Sequence, residues 1–282
     1  MGRHAPSPLP LAESADDRYE VIIVRYGTRN TVRSDVYLNY AVYGADDGPI
    51  GMDYFVWVVR NDHRTILVDT GYSVEGGASR QRTSLITPPQ AWSHMGIDLD
   101  AELTVVLTHA HYDHAGNLAE LPGAQIIIAA SELDFWLGPL SSRAQFRHSV
   151  DGADLTALAA ARAEGRVTGY HDTIRVAPGV DVIEVGGHTP GQSVVLVQTE
   201  AGPVLLASDA VHYYEELESD MPFTYVADLP QMYQAFDRIS EMSQAGAVAH
   251  LVSGHDPATL DRFPATEGLP PGLGAVIGRR MS

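Results

Sequence analysis

Short apolar runs recur along this chain, and nearly all of them are bounded by Gly, Pro, Asp or Asn. Runs of four to six residues that are rich in Val and Ile, with turn-forming residues at both ends, are typical of β-strands. We therefore predict strands at residues 21–25, 55–59, 65–68, 104–107, 125–129, 180–185, 194–197, 204–207 and 247–252.

Helical periodicity appears between these runs. The clearest case is 231–244, where apolar side chains recur every three or four residues and form one stripe, which we interpret as a face packed on the core. The stripe consists of Met232, Ala235, Phe236, Ile239 and Met242. Residues 130–169 carry further helical patterns, at 132–137 and 154–163, and we predict a helical insertion there.

Two distant segments share one pattern, which indicates a duplicated unit. Residues 55–71 and 194–210 both show strand, polar turn, strand and then an aspartate, Asp69 or Asp209. Such units flanked by helices would pack as two sheets face to face with helices outside. We expect an α/β protein with a four-layer αββα sandwich and its functional groups on the loops at one edge.

The domain organisation follows from the absence of a long linker or a break in composition. We expect one domain at 19–263, a flexible N-terminal arm at 1–18 and a Pro/Gly-rich C-terminal tail at 264–282. The arm lacks the apolar stretch of a signal peptide, and no apolar run approaches the roughly 20 residues that cross a bilayer. The expectation is a cytoplasmic protein with no membrane partner.

Net charge and composition exclude several kinds of ligand and of catalytic group. The formal net charge is −18, from 36 acidic and 18 basic residues, which disfavours binding to nucleic-acid phosphates. Cysteine is absent, and every basic residue is Arg, so disulfides, thiolate nucleophiles, Cys-containing zinc sites and lysine Schiff bases are excluded. We expect a small-molecule substrate, and we leave a homodimer open.

Residues 108–116 are the most informative segment. Four side chains able to bind a metal, His109, His111, Asp113 and His114, directly follow an apolar run. Because side chains alternate along an extended segment, His109 and His111 would point the same way, while the next turn brings Asp113 and His114 towards a second position. The spacing predicts a metal site on imidazole and carboxylate.

Three more residues follow predicted strands and complete the pattern. His188 lies in the turn-rich segment Gly-Gly-His-Thr-Pro-Gly, and Asp209 and His255 each come after an apolar run. The order His-x-His-x-Asp-His, His, Asp, His, together with Asp69 in Val-Asp-Thr-Gly, resembles the metallo-β-lactamase superfamily of dinuclear hydrolases. The resemblance spans residues 54–256.

This resemblance implies a role for each matching position. The first metal would be held by His109, His111 and His188, the second by Asp113, His114 and His255, and Asp209 would bridge both. Asp69 would orient the metal-binding loop through hydrogen bonds. Two cations roughly 3.5 to 4 Å apart would share a water and lower its pKa, so that hydroxide attacks a substrate carbonyl. Two Zn²⁺ suit these ligands best, with Mn²⁺, Fe²⁺ or Co²⁺ as alternatives.

Within the superfamily, the chain resembles the lactonases that open N-acyl homoserine lactones, which are quorum-quenching enzymes, and the related pyridoxolactonases. The similar features are Leu-Val-Asp-Thr-Gly-Tyr at 67–72, Asp-Leu-Asp at 98–100 and Ser-Gly-His-Asp at 253–256. Those lactonases usually carry a tyrosine three residues after the bridging aspartate, where this chain has His212, followed by Tyr213. Either side chain could donate the hydrogen bond to the substrate. Asp113, Asp209, His212 and Tyr213 are thus the expected catalytic residues.

The substrate pocket and the reaction have further alternatives. We expect pocket walls from residues 72–95 with Trp92, from Phe135 and Trp136, and from residues 221–223.

The rival functions are glyoxalase-like thioester hydrolysis, cleavage of a cyclic amide as in a β-lactamase, and the reaction of a mononuclear iron enzyme similar to persulfide dioxygenases. An inert binding module is a further class. Glutathione is anionic, and the scarcity of Arg between residues 208 and 261 argues against the thioester.

Overall fold

The computed structural model of this protein describes residues 17–278. Nearly all of the arm predicted at 1–18 lies outside the described residues. The strands are β1 (Glu20–Val32), β2 (Pro49–Arg60), β3 (Thr65–Val68), β4 (Thr83–Ser84), β5 (Thr104–Val106), β6 (Gln125–Ala129), β7 (Val167–Tyr170), β8 (Thr173–Ala177), β9 (Val180–Glu184), β10 (Ser193–Val197), β11 (Val204–Ser208), β12 (His250–Ser253) and β13 (Gly274–Ile277).

The helices are shorter and lie mostly between strands. They are α1 (Arg33–Val36), α2 (Val74–Ser79), α3 (Pro88–His94), α4 (Tyr112–Ala115), α5 (Ala130–Trp136), α6 (Ala144–Arg147), α7 (Gly152–Ala163), α8 (Tyr214–Ser219) and α9 (Leu229–Gln244). Four 3₁₀ segments, Tyr40–Tyr43, Leu118–Glu120, Pro139–Ser142 and Pro257–Arg262, complete the regular structure of the described residues. None of these helices is both long and apolar enough to span a membrane.

The strands form two sheets. The first has the order β13-β1-β2-β3-β5-β6-β7, with β4 paired to β1, and the second has the order β12-β11-β10-β9-β8. Strands β3, β5, β6 and β7 run parallel, and β11 runs parallel to β12. Parallel neighbours end at the same edge of a sheet, so the loops after these strands gather there.

Three apolar clusters show how the layers stack. One cluster fills the space between the sheets and includes Trp57 and Val106 of the first sheet and Val195 of the second. Another covers the outer face of the first sheet, and the third joins the outer face of the second sheet to Ala235 and Ile239 of α9. Helix, sheet, sheet and helix therefore form four layers, which confirms the predicted αββα sandwich.

Local signals explain several of these elements. Helix α9 begins after Asp228, whose side chain accepts a hydrogen bond from the Gln231 amide at 3.0 Å, as an N-cap should. Its predicted apolar stripe is buried at Met232, Ala235, Phe236 and Ile239. The predicted helical insertion is present as α5, α6 and α7.

The C-terminal segment differs from its prediction. Residues 264–278 do not form a flexible tail, because β13 pairs antiparallel with β1, with Ala275 opposite Ile23. The Ala-Val-Ile run at 275–277 is apolar and β-branched, and it covers an edge of the first sheet that would otherwise be unpaired. The folded domain therefore extends beyond residue 263.

Candidate metal centre and catalytic cavity

The loop after β5 carries the predicted metal motif. His109 is buried at the exit of the strand, and His111 has an extended backbone (φ −65°, ψ 157°) that starts α4 directly. One helical turn then places Asp113 and His114 beside the two histidines. The Tyr26 hydroxyl donates a hydrogen bond to the Asp113 carbonyl oxygen at 2.7 Å, which fixes this turn against β1.

Asp69 holds this loop in place. Its Oδ1 accepts a hydrogen bond from the Thr108 amide at 2.8 Å, and its Oδ2 accepts from the Thr108 hydroxyl at 2.8 Å and from His114 Nδ1 at 2.7 Å. Asp69 itself has a positive φ of 61°, a strained conformation for a non-glycine residue. Because Nδ1 of His114 is bound, its Nε2 is the atom left to face the other histidines.

The remaining candidate ligands come from the second sheet. Strands β9, β11 and β12 run in the same direction, since β10 is antiparallel to β9 and β11, and the loops after them carry His188, Asp209 and His255. His188 Nδ1 donates to the Tyr225 carbonyl oxygen and His255 Nδ1 donates to the Asp53 carbonyl oxygen, both at 2.7 Å. Nε2 of each ring therefore faces the centre.

A glycine lets two of these loops approach closely. A Cβ at Gly254 would lie 2.6 Å from the Ser208 carbonyl oxygen and 2.9 Å from Asp209 Oδ1. Any larger residue would push the β11 and β12 exits apart and separate His255 from Asp209.

The structure brings all seven predicted ligands together in two groups. His109, His111, His188 and Asp209 form one group and Asp113, His114 and His255 form the other, and the ligand atoms within each lie within 4.8 Å of one another. Asp209 lies between the groups. Its Oδ1 is 3.1 Å from His255 Nε2 and 3.2 Å from His114 Nε2, while its Oδ2 is 3.4 Å from His188 Nε2 and 3.7 Å from His109 Nε2.

Burial and neighbouring charges set the protonation of these groups. Burial lowers the pKa of His109 and His111 well below the usual range, and it lowers the pKa of His188 to about 3, with neighbouring imidazoles adding to the effect. Burial also lowers the pKa of His114, but Asp209, Asp69 and Asp113 outweigh it and raise that pKa well above the usual range. Three rings are therefore neutral, which is the form in which an imidazole nitrogen can bind a cation.

Buried polar atoms without a hydrogen-bond partner show whether a cation fits the two candidate groups. His109 Nε2, His114 Nε2 and Asp209 Oδ1 are buried and have no hydrogen-bond partner among the described residues. Buried polar atoms are rarely left unpaired, so these three unsatisfied atoms within the two groups indicate that the groups bind cations. A divalent metal fits these His and carboxylate donors, which suit zinc and also manganese, iron and cobalt.

The two expected catalytic residues after Asp209 lie in different places. His212 Nε2 is 3.1 Å from Asp209 Oδ2, and its ring stacks on Phe223 with ring centroids 3.8 Å apart. Glu216 Oε2 lies 3.3 Å from His212 Nδ1 and accepts a hydrogen bond from the His212 amide. Burial lowers the pKa of His212, but Asp209 and Glu216 outweigh it and raise the pKa to about 9.

Tyr213 points away from this centre. Its hydroxyl donates a hydrogen bond to the Gly51 carbonyl oxygen at 2.9 Å, and Tyr213 is not among the residues that line the cavity at the metal groups. His212 does line that cavity. The structure therefore places His212, and not Tyr213, where a substrate could reach it.

A cavity of about 190 Å³ opens over the candidate metal groups. It is lined by Arg29, Met52, Tyr54, Arg80, Arg82, His111, Tyr112, Asp113, His148, Ser149, His188, Asp209, His212, Phe223, Tyr225 and His255. A recess of about 30 Å³ adjoins it, with Phe135 and Trp136 in its wall as the sequence predicted. Trp92 differs from its prediction, because it is fully buried in the core outside the first sheet and lines neither space.

Two features of the site were not singled out in the sequence. Arg29 of β1 lines the cavity outside every predicted wall, and Arg80 and Arg82 line it within the wall predicted at 72–95, although no pattern pointed to their charge. Glu132 of α5 is also buried, and its carboxylate accepts hydrogen bonds from the Ala110 and Gly191 amides, both at 2.9 Å, and so joins the His111 and His188 loops. No local pattern marks these residues, since their partners are distant in sequence.

Comparison with known families agrees with the fold and the ligand order. The family profile described as the Metallo-beta-lactamase superfamily matches residues 51–254, which is more than half of the chain. This chain belongs to the metallo-β-lactamase superfamily. It is a metallo-hydrolase related to quorum-quenching lactonases, and its His and Asp groups indicate a divalent metal.

Curated relatives carry hydrolase names. An N-acyl homoserine lactonase from a Bacillus species is 28% identical over 189 residues, covering 61% of this chain and 70% of the relative. A probable metallo-hydrolase of Mycobacterium tuberculosis is 22% identical over 231 residues, covering 73% and 72% of the two chains.

Solved structures share the fold. A quorum-quenching N-acyl homoserine lactone lactonase superposes with a TM-score of 0.68 at 21% identity, covering 86% of this chain and 94% of the other. The dizinc quorum-quenching lactonase AidC superposes with a TM-score of 0.67 at 18% identity and covers 97% of both chains. At such identities the likeness shows the fold alone.

Proposed function

We propose that this protein is a dinuclear metal-dependent hydrolase that opens a lactone ring, of an N-acyl homoserine lactone or a similar small lactone. The observation that supports this most strongly is the arrangement of the seven His and Asp donors in two groups with Asp209 between them, at the floor of a cavity. The curated relatives named as lactonases support the choice of ring.

The proposed ligands divide as the two groups do. His109, His111 and His188 would hold the first cation; Asp113, His114 and His255 the second; and Asp209 would contact both. When bound, two divalent ions activate a water and polarise the ester carbonyl, so the reaction needs no serine or cysteine nucleophile. The hydrogen bonds of Asp69, Tyr225 and Asp53 to the ligand rings keep the donor atoms aimed at the cations.

We assign His212 the hydrogen bond to the substrate that a tyrosine provides in similar lactonases. Its ring is held by the stack on Phe223 and by Glu216, and its Nε2 lies 3.1 Å from Asp209 Oδ2 at the cavity wall. A donor fixed beside the reacting carbonyl stabilises the negative charge that develops on the carbonyl or leaving oxygen. Tyr54, Tyr112 and Phe223 give the cavity aromatic walls on which a small ring can pack.

One observation favours a second candidate, the hydrolysis of an anionic thioester. Arg29, Arg80 and Arg82 line the cavity, although the scarcity of Arg between residues 208 and 261 argued against such a substrate. These arginines come from β1 and from the segment around β4, which belong to the first sheet, whereas residues 208–261 carry β12 of the second.

A pH-stat assay tests the proposed function. The metal-loaded enzyme should release acid from homoserine lactones of several acyl lengths or from other small lactones, and less from a cyclic amide and a glutathione thioester. Acid release from the thioester alone would replace the lactonase by the second candidate. Absence of hydrolysis of any of these compounds by protein with a full metal complement would refute both.

A further inference from the structure

Two arginines in the cavity wall form no ion pair with the described residues. The whole chain has a formal net charge of −18, yet Arg29 and Arg82 line the cavity and neither has a carboxylate within ion-pair distance among residues 17–278. Arg80, also in the wall, differs because it pairs with Asp151 at 3.0 Å. An unpaired guanidinium in a partly buried wall is costly, which suggests that a ligand supplies its counter-charge.

The surroundings of Arg29 show most clearly that the guanidinium lacks partners in the protein. Arg29 lies on β1 opposite Met52 of β2, and its guanidinium makes no hydrogen bond to the described residues. Its Nε is buried and unsatisfied. A guanidinium offers five N–H groups, so the protein leaves the binding capacity of this side chain unused.

Arg82 is oriented by its neighbours but not neutralised by them. Its Nε donates to the Tyr112 hydroxyl at 3.0 Å and its Nη1 donates to the Arg80 carbonyl oxygen at 2.7 Å. These bonds fix the plane of the guanidinium while its charge has no carboxylate partner in the described part of the chain. A preorganised fork of this kind suits bidentate binding of a carboxylate or phosphate.

Arg82 lies on the side of the second group of ligands. The Arg82 guanidinium carbon is 5.9 Å from the centroid of the Tyr54 ring, and that ring packs edge-on against His255 with centroids 5.1 Å apart. Tyr112, which holds Arg82, directly precedes Asp113. One aromatic ring therefore separates Arg82 from the candidate metal centre, a span that one small substrate could cover.

We propose that Arg29 and Arg82 bind an oxyanion group of the substrate, a carboxylate or a phosphate, and that the enzyme therefore prefers a negatively charged lactone or ester to a neutral one. This inference rests on the proposed hydrolysis for its reaction, but it concerns recognition alone. Among lactones, the enzyme would prefer those that carry an acidic substituent near the ring.

The main test compares three five-membered lactones that differ only in a ring substituent: a carboxylate, a phosphate monoester on a hydroxymethyl group, and a neutral carboxamide. We expect kcat/KM for at least one anionic lactone to exceed that for the carboxamide by about tenfold or more, as charge-assisted hydrogen bonds allow. The anion with the larger ratio identifies the preferred group.

Variants assign the preference to the two side chains. Arg29→Gln and Arg82→Gln should each reduce the ratio of anionic to neutral kcat/KM by about tenfold, mainly through KM. Arg29→Lys and Arg82→Lys should retain part of it. Arg162→Gln is the matched control, because it removes the same charge from an exposed surface pair with Asp134 and should leave the ratio unchanged. A ratio unaffected by the Gln variants would overturn the assignment.

A binding measurement separates this inference from the proposed function. Tetrahydrofuran-2-carboxylate and its carboxamide contain no lactone bond, and calorimetry on the metal-loaded protein should show tighter binding of the carboxylate, weakened by Arg29→Gln and Arg82→Gln but not by Arg162→Gln. If no lactone is hydrolysed, the proposed function fails and this binding result decides the inference. If all three lactones are hydrolysed equally, or the two analogues bind equally, the inference fails.

Discussion

Two aspartates end corresponding β-hairpins in this protein, and their surroundings differ. Asp69 follows the β2–β3 hairpin and accepts three hydrogen bonds, two from Thr108 and one from His114. Asp209 follows the β10–β11 hairpin, and its Oδ1 has no hydrogen-bond partner in the described residues while five imidazoles surround the carboxylate. The same backbone position thus serves in one sheet to orient a candidate ligand and in the other to lie between the two candidate metal groups.

The backbone at the two positions is strained in a similar way. Asp69 has a φ of 61°, and Ser208, directly before Asp209, has a φ of 45°. Each hairpin therefore ends in a residue with a strained, positive φ beside the loops that carry the candidate ligands. The difference between the two residues therefore lies in what they face, and mutations can measure it.

The largest effect is expected at Asp209. We predict that Asp209→Ala lowers turnover by at least about three orders of magnitude and lowers the metal content, because it removes the carboxylate between the two groups. Metal analysis and lactone kinetics on the same preparation check both. Turnover preserved in a metal-free variant would refute the dinuclear assignment.

His212, three residues after Asp209, corresponds in the hairpin to Tyr72, three residues after Asp69. We predict that His212→Phe lowers kcat by about a hundredfold while the metal content stays close to that of the wild type, since it removes a proposed hydrogen bond to the substrate. Tyr72→Phe is the matched control, because the Tyr72 hydroxyl donates to the Thr83 carbonyl oxygen away from the metal groups. Unchanged kinetics in His212→Phe would mean that the metals alone stabilise the negative charge that develops on the substrate.

A smaller effect is expected at Asp69. We predict that Asp69→Asn weakens metal affinity or activity by about ten- to a hundredfold, the usual effect of losing a residue that orients a ligand. Because the ligands themselves remain, excess metal should restore much of the turnover. A titration of activity against added metal measures this, and a complete, metal-insensitive loss would show that Asp69 acts more directly than its contacts indicate.

The smallest effect concerns Asp154, a buried aspartate of α7 outside the metal groups whose Oδ2 has no hydrogen-bond partner in the described residues. Burial and then Asp151 raise its pKa to about 7, and Arg80 opposes them. Since the folded state holds this proton more tightly than the unfolded state, the carboxyl destabilises the fold increasingly as pH rises from about 4 to about 7.

Asp154→Asn should therefore raise the thermal midpoint by several degrees at pH 8 and change it little at pH 4. Thermal unfolding at the two values checks this. An equal shift at both would mean that packing, and not the charge of Asp154, causes the change.

Much of the fold could be predicted from local pattern. The strands at 65–68 and 125–129 match β3 and β6, because apolar β-branched runs with clear turns leave little choice. Strands β7 and β8 were missed since their residues are mostly exposed or half-buried and show no apolar run. Strand β13 was not predicted, because the Pro and Gly content of its segment suggested a tail.

The candidate site shows the same limit. Its seven candidate ligands could be predicted because they follow strands in a recognisable order, and the structure brings them together. Arg29 and Glu132 could not be predicted, and Arg82 only as part of the wall at 72–95, since their partners are brought together by the packing of β1, β4 and α5 against the loops. The choice between His212 and Tyr213 likewise depended on which side chain turns towards Gly51.

The proposed hydrolysis requires two metals that act together in one centre. Stepwise addition of zinc to the metal-free protein, with lactone turnover measured after each addition, tests this requirement. Turnover should rise chiefly with the second equivalent and reach its plateau at two metals per chain. A plateau at one metal per chain, or full binding of two metals without hydrolysis of any lactone, would contradict it.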